Sequence, residues 1–438
     1  MAATEDRHEA PSVASLFSFC SCCHKNKKRL RTEYARRFPP ASRHAPLSEG
    51  NVEDFFAHRG SALGARSEPM NAEGYGRRSA MTQYATERNR MQLGLFMPNC
   101  SHAYSISTYK PDPTDWTYDS NLRIARAAEA AGFDFLFPVA KWKGYGGQTD
   151  YLGNSLETMT WASAILANTT RIKVFSTVHV PVFHPVATAK MGATLDHIGK
   201  GRWGLNVVSG WSELEFGMMG IEVMPHAERY RRTEAYIEIL KGLWTQEPGT
   251  FNYECPWYKI TNGYVRPQPV QKPHPPIANA GVSEDAKEAV SRLCDWAFIS
   301  PFSVEQAPEV VADIKARAQR HDRTVQCACY PYVLWRDTEK EAQDERRRIV
   351  ENMDRVAVEN WAHGLQLQSG SFDNFTAEMY AFGGGGLPLV GTKEQVAEML
   401  KKLYDGGMDG FLMMMLDYYQ DTLRFEREIL PLLRQMGV

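Results

Sequence analysis

Short apolar segments alternate with helical segments along the chain from residue 91 onward. Eight of the apolar segments have the length and composition of buried strands, and segments with helical spacing separate nearly all of them. These strand segments are Gln92–Pro98, Phe133–Val139, Ile172–Val178, Arg202–Val208, Pro276–Ala280, Trp296–Ile299, Gln326–Trp335 and Gly410–Leu416. Repeated βα units cover both faces of a parallel sheet, and eight of them favour closure into a barrel. The pattern therefore predicts an α/β protein with a (β/α)8 TIM barrel.

Two interruptions of this alternation predict insertions in the barrel. Phe251–Val265 is rich in aromatic residues and has the pattern of a hairpin. The polar interval from Asp337 to Pro388 is longer than an ordinary connection, and it contains a run of four glycines, Gly383–Gly386. Two alternatives stay open for this interval. It could be a mobile cover over a site, since glycines allow the backbone to move, or a solvated linker.

Residues 1–90 differ in composition from the barrel region, residues 91–438. Polar and charged residues dominate and no sustained period appears, so we expect a disordered, non-catalytic extension. Its Cys20–Arg29 segment places three cysteines and a histidine beside a basic cluster, which raises two further hypotheses, a metal site and an acylated anchor. The later cysteines lack framework spacing, which favours reduced thiols and a cytoplasmic protein, although the extension leaves the location open.

Charge and hydropathy exclude two classes of partner. The 438 residues carry a net charge of −2, and the long helical stretches show no basic face, so nucleic acid is not an expected partner. The longest strongly apolar run, Phe411–Leu416, is far too short to span a bilayer. Hydrophobic residues make up 43% of the chain, which is enough for a sizeable core.

Polar residues stand at or near the ends of several predicted strands, whereas dinucleotide, Walker A, zinc-protease and nucleophile-elbow motifs are absent from the sequence. The residues at the strand ends are Ala140–Lys141, Thr177, Asn206 and Ser283. The carboxyl ends of barrel strands meet at one face, where ligands bind. Each polar residue also has a structural alternative, because backbone groups could satisfy Asn206, Thr177 could be a core residue, and Ser283 could simply cap a helix. No metal site is expected.

The segment His226–Arg232 is dense in hydrogen-bond donors and precedes a long helical pattern. Three arginines near a helix N-terminus oppose the helix macrodipole, and a bound anion would offset that local cost. A solvated surface turn is the alternative.

From Met91 onward the chain resembles the bacterial luciferase-like, flavin-dependent monooxygenases. The segments that carry the resemblance are Phe96–Pro98, Glu129–Asp134, Lys141–Gly147, Gly201–Trp211, His226–Arg232, Pro267–Pro269, Lys272–Pro276 and Ala280–Ser283. Within this family the pattern is most similar to the pyrimidine, dimethylsulfone and alkanesulfonate monooxygenases.

The resemblance implies a barrel that binds FMN at the carboxyl ends of its strands. Carried over by position, it implies FMN contacts at Ala140, Lys141, Asn206, Glu215, Arg229, Tyr230 and Ser283. Thr177 and Asn206 would be the catalytic residues, flanking the pocket where O2 meets the reduced flavin. His226 and Arg229 would either pair with a substrate such as a sulfonate or hold the FMN phosphate.

Members of the family that the chain resembles take reduced FMN from a separate NAD(P)H-dependent flavin reductase. The resemblance therefore implies an FMNH2-dependent monooxygenase that uses O2 on a small organosulfur compound (an alkanesulfonate or sulfone) or a pyrimidine-like heterocycle. We expect a homodimer or homotetramer. Two alternatives remain open, a deazaflavin-dependent reductase on the same barrel and a non-catalytic flavin-binding barrel.

Overall fold

The computed structural model describes residues 90–102, 105–281, 283–369 and 376–438, without the side chains of residues 366–369. The extension predicted for residues 1–90 lies outside the described residues except for Arg90, and so do both hypotheses for Cys20–Arg29. None of the helices in the described ranges has the length and apolar composition of a membrane span.

The described residues form twelve strands and thirteen helices. The strands are β1 (Gln92–Phe96), β2 (Phe135–Phe137), β3 (Lys173–His179), β4 (Trp203–Val208), β5 (Phe251–Glu254), β6 (Lys259–Gly263), β7 (Ile277–Asn279), β8 (Trp296–Ile299), β9 (Gln326–Cys329), β10 (Pro331–Trp335), β11 (Leu387–Gly391) and β12 (Gly410–Met413). The helices are α1 (Tyr118–Ala131), α2 (Thr158–Ala167), α3 (Pro185–Ile198), α4 (Glu213–Gly217), α5 (His226–Thr245), α6 (Glu284–Leu293), α7 (Ala307–Gln319), α8 (Glu339–Glu351), α9 (Arg355–Ser369), α10 (Ala377–Ala381), α11 (Lys393–Asp405), α12 (Tyr418–Glu428) and α13 (Leu430–Gln435).

Eight parallel strands close into a barrel in the order β1-β12-β9-β8-β7-β4-β3-β2. Each of the eight predicted strand segments contributes one barrel strand, so the predicted (β/α)8 fold is confirmed. The hairpin predicted within Phe251–Val265 is also confirmed, because β5 and β6 pair in antiparallel fashion outside the barrel.

The prediction of one strand over Gln326–Trp335 is wrong. The chain leaves the barrel after β9, and β10 pairs in parallel with β11 in a separate two-stranded sheet. Pro331 begins β10 and has no backbone N–H, so it suits the first residue of a strand better than the middle of a barrel ladder.

Aromatic side chains fill the barrel interior. The Phe137 ring lies 4.9 Å from that of Phe175 and 4.2 Å from that of Phe298, measured between centroids. A Cβ atom at Gly204 would lie 2.6 Å from the Phe175 ring, so this ring occupies the space where a larger residue on β4 would point. The packed interior forms a closed floor, as in other barrels of this size, and leaves the carboxyl ends of the strands available to ligands.

The interval from Asp337 to Pro388 is folded over the described part of its length, so the solvated-linker alternative is wrong there. It holds α8, α9 and α10, and α8 begins with a capping box formed by Thr338 and Glu341. The run Gly383–Gly386 is buried, and the Gly384 carbonyl accepts a hydrogen bond from Trp361 Nε1 at 3.1 Å. Movement of this insertion as a cover stays a prediction.

Candidate functional site

A cleft opens at the carboxyl ends of the barrel strands, and its lining contains nearly every predicted site residue. The predicted residues in the lining are Ala140, Lys141, Thr177, Asn206, His226, Arg229, Tyr230 and Ser283. The cleft encloses about 1390 Å³ of empty space, its mouth included.

Thr177 and Asn206 are directly paired on neighbouring strands of the barrel. They are partners in the β3–β4 register, and Asn206 Nδ2 donates to Thr177 Oγ1 at 3.3 Å. Thr177 Oγ1 in turn donates to the Pro138 carbonyl at 2.7 Å. Asn206 Oδ1 is buried and has no hydrogen-bond partner within the described ranges. Backbone groups therefore do not satisfy Asn206, and its carbonyl oxygen is available to accept a hydrogen bond from a ligand.

Lys141 and Glu215 form a buried ion pair at one wall of the cleft. Lys141 Nζ lies 3.0 Å from Glu215 Oε1, and their side chains are 3% and 2% exposed. Lys141 Nζ also donates to the Tyr145 hydroxyl at 2.7 Å and lies 4.7 Å from the Trp211 ring centroid. Burial lowers the pKa of Lys141, and the Glu215 carboxylate opposes that change.

Glu215 is the one predicted FMN contact that does not line the cleft. It lies in the first turn of α4, and its Oε1 also accepts a hydrogen bond from the Trp142 backbone N–H at 2.9 Å. The structure therefore places Glu215 behind Lys141, where it orients the Lys141 loop. The Glu215 carboxylate therefore affects the cleft indirectly, through its ion pair with Lys141.

A second wall of the cleft carries groups that favour negative charge. Helix α5 begins at His226, and no side chain within the described residues caps its free N–H groups. Arg229 Nη1 donates to the Gly210 carbonyl at 2.7 Å, while Arg229 Nε is buried without a partner among the described residues. Burial lowers the pKa of Arg229, which the nearby Tyr230 opposes. Cation and helix dipole thus favour negative charge at the same place.

Only one of the three predicted arginines faces the cleft. Arg232 donates to the Tyr258 hydroxyl at 3.0 Å, and Arg231 is exposed. Of the arginines in the His226–Arg232 segment, Arg229 therefore lines the cleft, whereas Arg231 lies at the surface. His226 is partly exposed, and its Nδ1 lies 3.6 Å from Asp285 Oδ2.

Ser283 caps α6, since its side chain accepts a hydrogen bond from the Ala286 N–H at 3.3 Å. The helix-cap alternative is thereby confirmed, and the same residue still lines the cleft. Burial raises the pKa of Tyr230, and hydrogen bonding with Ser283 opposes the rise. A Cβ atom at Gly281 would lie 2.7 Å from the Tyr230 hydroxyl, so glycine permits this close approach.

Five polar residues of the lining escaped the sequence analysis: His179, Ser209, Asn279, Ser300 and Tyr330. His179 follows Thr177 by two positions on β3, so strand alternation places it on the same face. Asn279, like Asn206, is a polar amide within an apolar strand. Ser300 and Tyr330 stand directly after β8 and β9, and their hydroxyls form a hydrogen bond. Each of these signals is present in the sequence.

The remaining wall is apolar and includes residues of the insertion. Trp361 and Leu365 on α9 face the cleft together with Trp211, and Phe96 and Leu412 contribute from barrel strands. Aromatic and aliphatic walls exclude water and strengthen the electrostatic effect of the few polar groups within them.

Comparisons with known proteins identify the family of this chain. A family model described as luciferase-like monooxygenase matches residues 91–410. The FMNH2-dependent dimethylsulfone monooxygenase of Pseudomonas putida is 32% identical over 356 residues, covering 79% of this chain and 96% of the relative. The pyrimidine monooxygenase RutA of Allorhizobium ampelinum is 28% identical over 357 residues, covering 78% and 96%.

Among solved structures, DmoA from Hyphomicrobium sulfonivorans superposes with a TM-score of 0.70 at 21% identity, covering 80% of this chain and 89% of that protein. An F420-dependent secondary alcohol dehydrogenase superposes with a TM-score of 0.59 at 15% identity, covering 78% and 99%. These structural likenesses show the barrel fold alone. The family match covers most of the chain, so the chain belongs to the luciferase-like monooxygenase family.

Proposed function

We propose that this chain is a monooxygenase that uses reduced FMN, supplied by a separate NAD(P)H-dependent flavin reductase, to oxygenate a small uncharged organosulfur compound or pyrimidine-like heterocycle. One atom of O2 enters the substrate, the other leaves as water, and the reduced flavin is oxidised. Reduced FMN, when bound, supplies the two electrons that this reaction needs. The observation that carries the proposal is that two buried polar atoms without a partner among the described residues, Asn206 Oδ1 and Arg229 Nε, belong to residues that line one cleft.

The residues of the cleft fit FMN at both ends. Arg229 Nε and the uncapped N-terminus of α5 would hold the phosphate, with Tyr230 and Ser283 beside them. Asn206 Oδ1, which has no partner among the described residues, would accept a hydrogen bond from the flavin ring system. Lys141 and Ala140 line the wall beside Thr177. The orphaned atoms are those that a polar, anionic cofactor satisfies.

The charges in the lining favour an uncharged substrate over an alkanesulfonate. The ionisable bases of the described lining are Lys141, His179, His226 and Arg229. Lys141 is neutralised by Glu215, and burial lowers the pKa of His179 to about 4, so neither supplies net charge at neutral pH. His226 and Arg229 lie at the N-terminus of α5, where the FMN phosphate would bind. A buried sulfonate would then lack a counter-ion, which is costly.

The apolar wall suits small substrates of this kind. Trp211, Trp361 and Phe96 present aromatic faces and edges, and these exclude water from a reacting centre. The deazaflavin-dependent reductase is disfavoured because the family model and the curated relatives are monooxygenases. The barrel alone does not separate the two classes, since the F420-dependent dehydrogenase shares it.

A reconstituted assay tests the proposal. The purified chain is supplied with FMN, NADH, a flavin reductase and ¹⁸O2, and is offered dimethylsulfone, uracil or methanesulfonate. We expect one ¹⁸O atom in the product from dimethylsulfone or uracil and none from methanesulfonate. Peroxide release without labelled product from every substrate would contradict the monooxygenase assignment. Failure to bind FMN in either redox state would reject the flavin site itself, and the deazaflavin alternative would then be tested with F420.

A further inference from the structure

His179 is a buried polar residue of the cleft to which no role has yet been assigned. It ends β3, two residues after Thr177, and is 4% exposed. Its ring packs edge-on against Phe216, with centroids 5.7 Å apart. Strand alternation directs Thr177 and His179 to the same face, and both line the cleft.

The hydrogen bonds of His179 determine where its proton lies. Trp142 Nε1 donates to His179 Nδ1 at 3.1 Å, so Nδ1 is an acceptor and the proton is on Nε2. Trp142 is itself held in place, because its backbone N–H donates to Glu215 Oε1. Burial lowers the pKa of His179 to about 4, which keeps the ring neutral at neutral pH. His179 therefore offers the cleft one oriented, uncharged N–H donor.

Three other hydrogen-bond donors of the lining are already engaged. Thr177 Oγ1 donates to the Pro138 carbonyl, and Asn279 Nδ2 donates to the Val207 carbonyl at 2.6 Å. Lys141 Nζ is engaged by Glu215 and Tyr145. No hydrogen bond from His179 Nε2 occurs within the described part of the chain. This neutral donor is therefore free to bind a ligand that supplies an acceptor.

We propose that His179 is a specificity-determining residue that donates a hydrogen bond from Nε2 to an oxygen of the uncharged substrate, either a sulfone oxygen or a ring carbonyl. This inference rests on the proposed function. A neutral donor recognises a neutral S=O or C=O acceptor without introducing a charge into the pocket. It also penalises an analogue that lacks the oxygen, because the buried N–H then stays unpaired.

Equilibrium binding to enzyme loaded with oxidised FMN tests this role without turnover. Binding of dimethylsulfone, uracil and the oxygen-free analogue dimethyl sulfide is followed through the flavin absorbance. In wild type we expect the oxygen-bearing ligand to bind at least about 10-fold more tightly than dimethyl sulfide. His179→Phe is expected to abolish that preference while leaving FMN affinity unchanged. His179→Gln, whose amide N–H reaches the place of Nε2, is expected to restore most of it, and His179→Asn is not.

The control is His197→Gln, which changes an exposed histidine on α3 and is expected to leave every affinity unchanged. Trp142→Phe removes the bond that sets the tautomer and is expected to weaken the preference while keeping His179 in place. If wild type binds one oxygen-bearing ligand and His179→Phe binds it with the same preference, the role of His179 is rejected and the proposed function stands. If His179→Phe loses FMN affinity instead, His179 is a flavin contact. FMN-loaded wild type that binds neither dimethylsulfone nor uracil rejects the proposed function and this inference together.

Discussion

Asn206 places an amide inside a buried strand, with one of its two polar atoms unpartnered within the described ranges. We predict that Asn206→Ala keeps the fold and uncouples NADH consumption from product formation. The ratio of product to NADH is expected to fall by about 10-fold, the equivalent of one lost hydrogen bond. The measurement is product and peroxide per NADH in the reconstituted assay. Asn252→Ala, in the hairpin away from the cleft, is the matched control. Unchanged coupling in Asn206→Ala would reject the catalytic role.

The Lys141–Glu215 pair makes a prediction about stability. Removing one member leaves the other charge buried, so Glu215→Gln is expected to lower the free energy of unfolding by about 3–5 kcal/mol. Because Glu215 opposes the burial-lowered pKa of Lys141, that pKa falls further in the variant. The double variant with Lys141→Met and Glu215→Gln removes both charges and is expected to recover much of the loss. Urea unfolding of wild type, of Glu215→Gln, of Lys141→Met and of the double variant measures these losses. Losses that simply add in the double variant would show that the two charges are not coupled.

At the scale of single residues, the sequence predicts where a residue lies on its strand more readily than which distant residue it contacts. The level pairing of Thr177 and Asn206 could be predicted, because both stand near the ends of consecutive strands. Glu215 pairs with a lysine from a loop far away in the sequence, and no local spacing reveals such a partner. His179 was accessible through strand alternation and was missed. An apolar stretch with one histidine is more often core than site.

At the scale of elements, the loop after β2 is fastened to the insertion. Asp354, just before α9, accepts hydrogen bonds from the Thr149 N–H at 2.7 Å and the Thr149 hydroxyl at 2.9 Å. Gly147 has a φ of +72°, and a Cβ atom there would lie 2.3 Å from Asp354 Oδ1. We predict that Gly147→Ala displaces Asp354, lowers the free energy of unfolding by about 2–4 kcal/mol and weakens FMN binding.

Gly220→Ala separates backbone strain from the lost contact. Gly220 has a φ of +67°, and nothing lies within 4 Å of where its Cβ atom would be. This variant is expected to cost about 1 kcal/mol from the left-handed backbone alone, without changing FMN affinity. Urea unfolding and FMN titration are run on both variants. Equal losses in both would show that the Asp354 contact contributes nothing.

Strands that belong to the repeated βα pattern could be predicted from the sequence more readily than the sheet formed by β10 and β11. Barrel strands could be predicted because alternation with helices imposes a parallel sheet with covered faces. The β10–β11 sheet could not, because an apolar run from β9 through β10 reads as one strand, and its partner follows an insertion of three helices. The pairing of β10 with β11 is a tertiary choice that no local periodicity encodes.

The whole molecule is expected to lose stability in mild acid. Burial lowers the pKa of His102 and of His179 to about 4, whereas an unfolded histidine titrates near 6.5. Between these values the unfolded state binds more protons, so stability is fully present above about 6.5 and is lost as the pH falls toward 4. Each histidine contributes on the order of 3 kcal/mol. Thermal or urea unfolding between pH 4.5 and 7.5 measures the loss.

Asp421 acts in the opposite direction and supplies the control. Burial raises its pKa to about 6 from an ordinary value of 3.8, so its contribution is present at low pH and is lost as the pH rises through 6. Asp421→Asn is therefore expected to make the loss of stability in acid steeper. His179→Phe is expected to make it shallower. Parallel pH profiles for both variants and wild type would contradict these assignments.

The insertion that carries α8, α9 and α10 supplies part of the cleft lining from outside the barrel strands. Thr177, Asn206 and His179 of the lining lie on barrel strands, whereas Trp361 and Leu365 belong to a segment that begins and ends at the β10–β11 sheet. Trp361 and Leu365 can be exchanged without changing a residue of the barrel strands, whereas Asp354 on the same segment also holds the loop after β2. The apolar side of the lining thus lies partly outside the barrel strands, whereas His179, the proposed specificity residue, lies on β3. A foreign insertion grafted onto this barrel is therefore expected to change the shape of the substrate pocket and to leave its strand-borne hydrogen-bond donor in place.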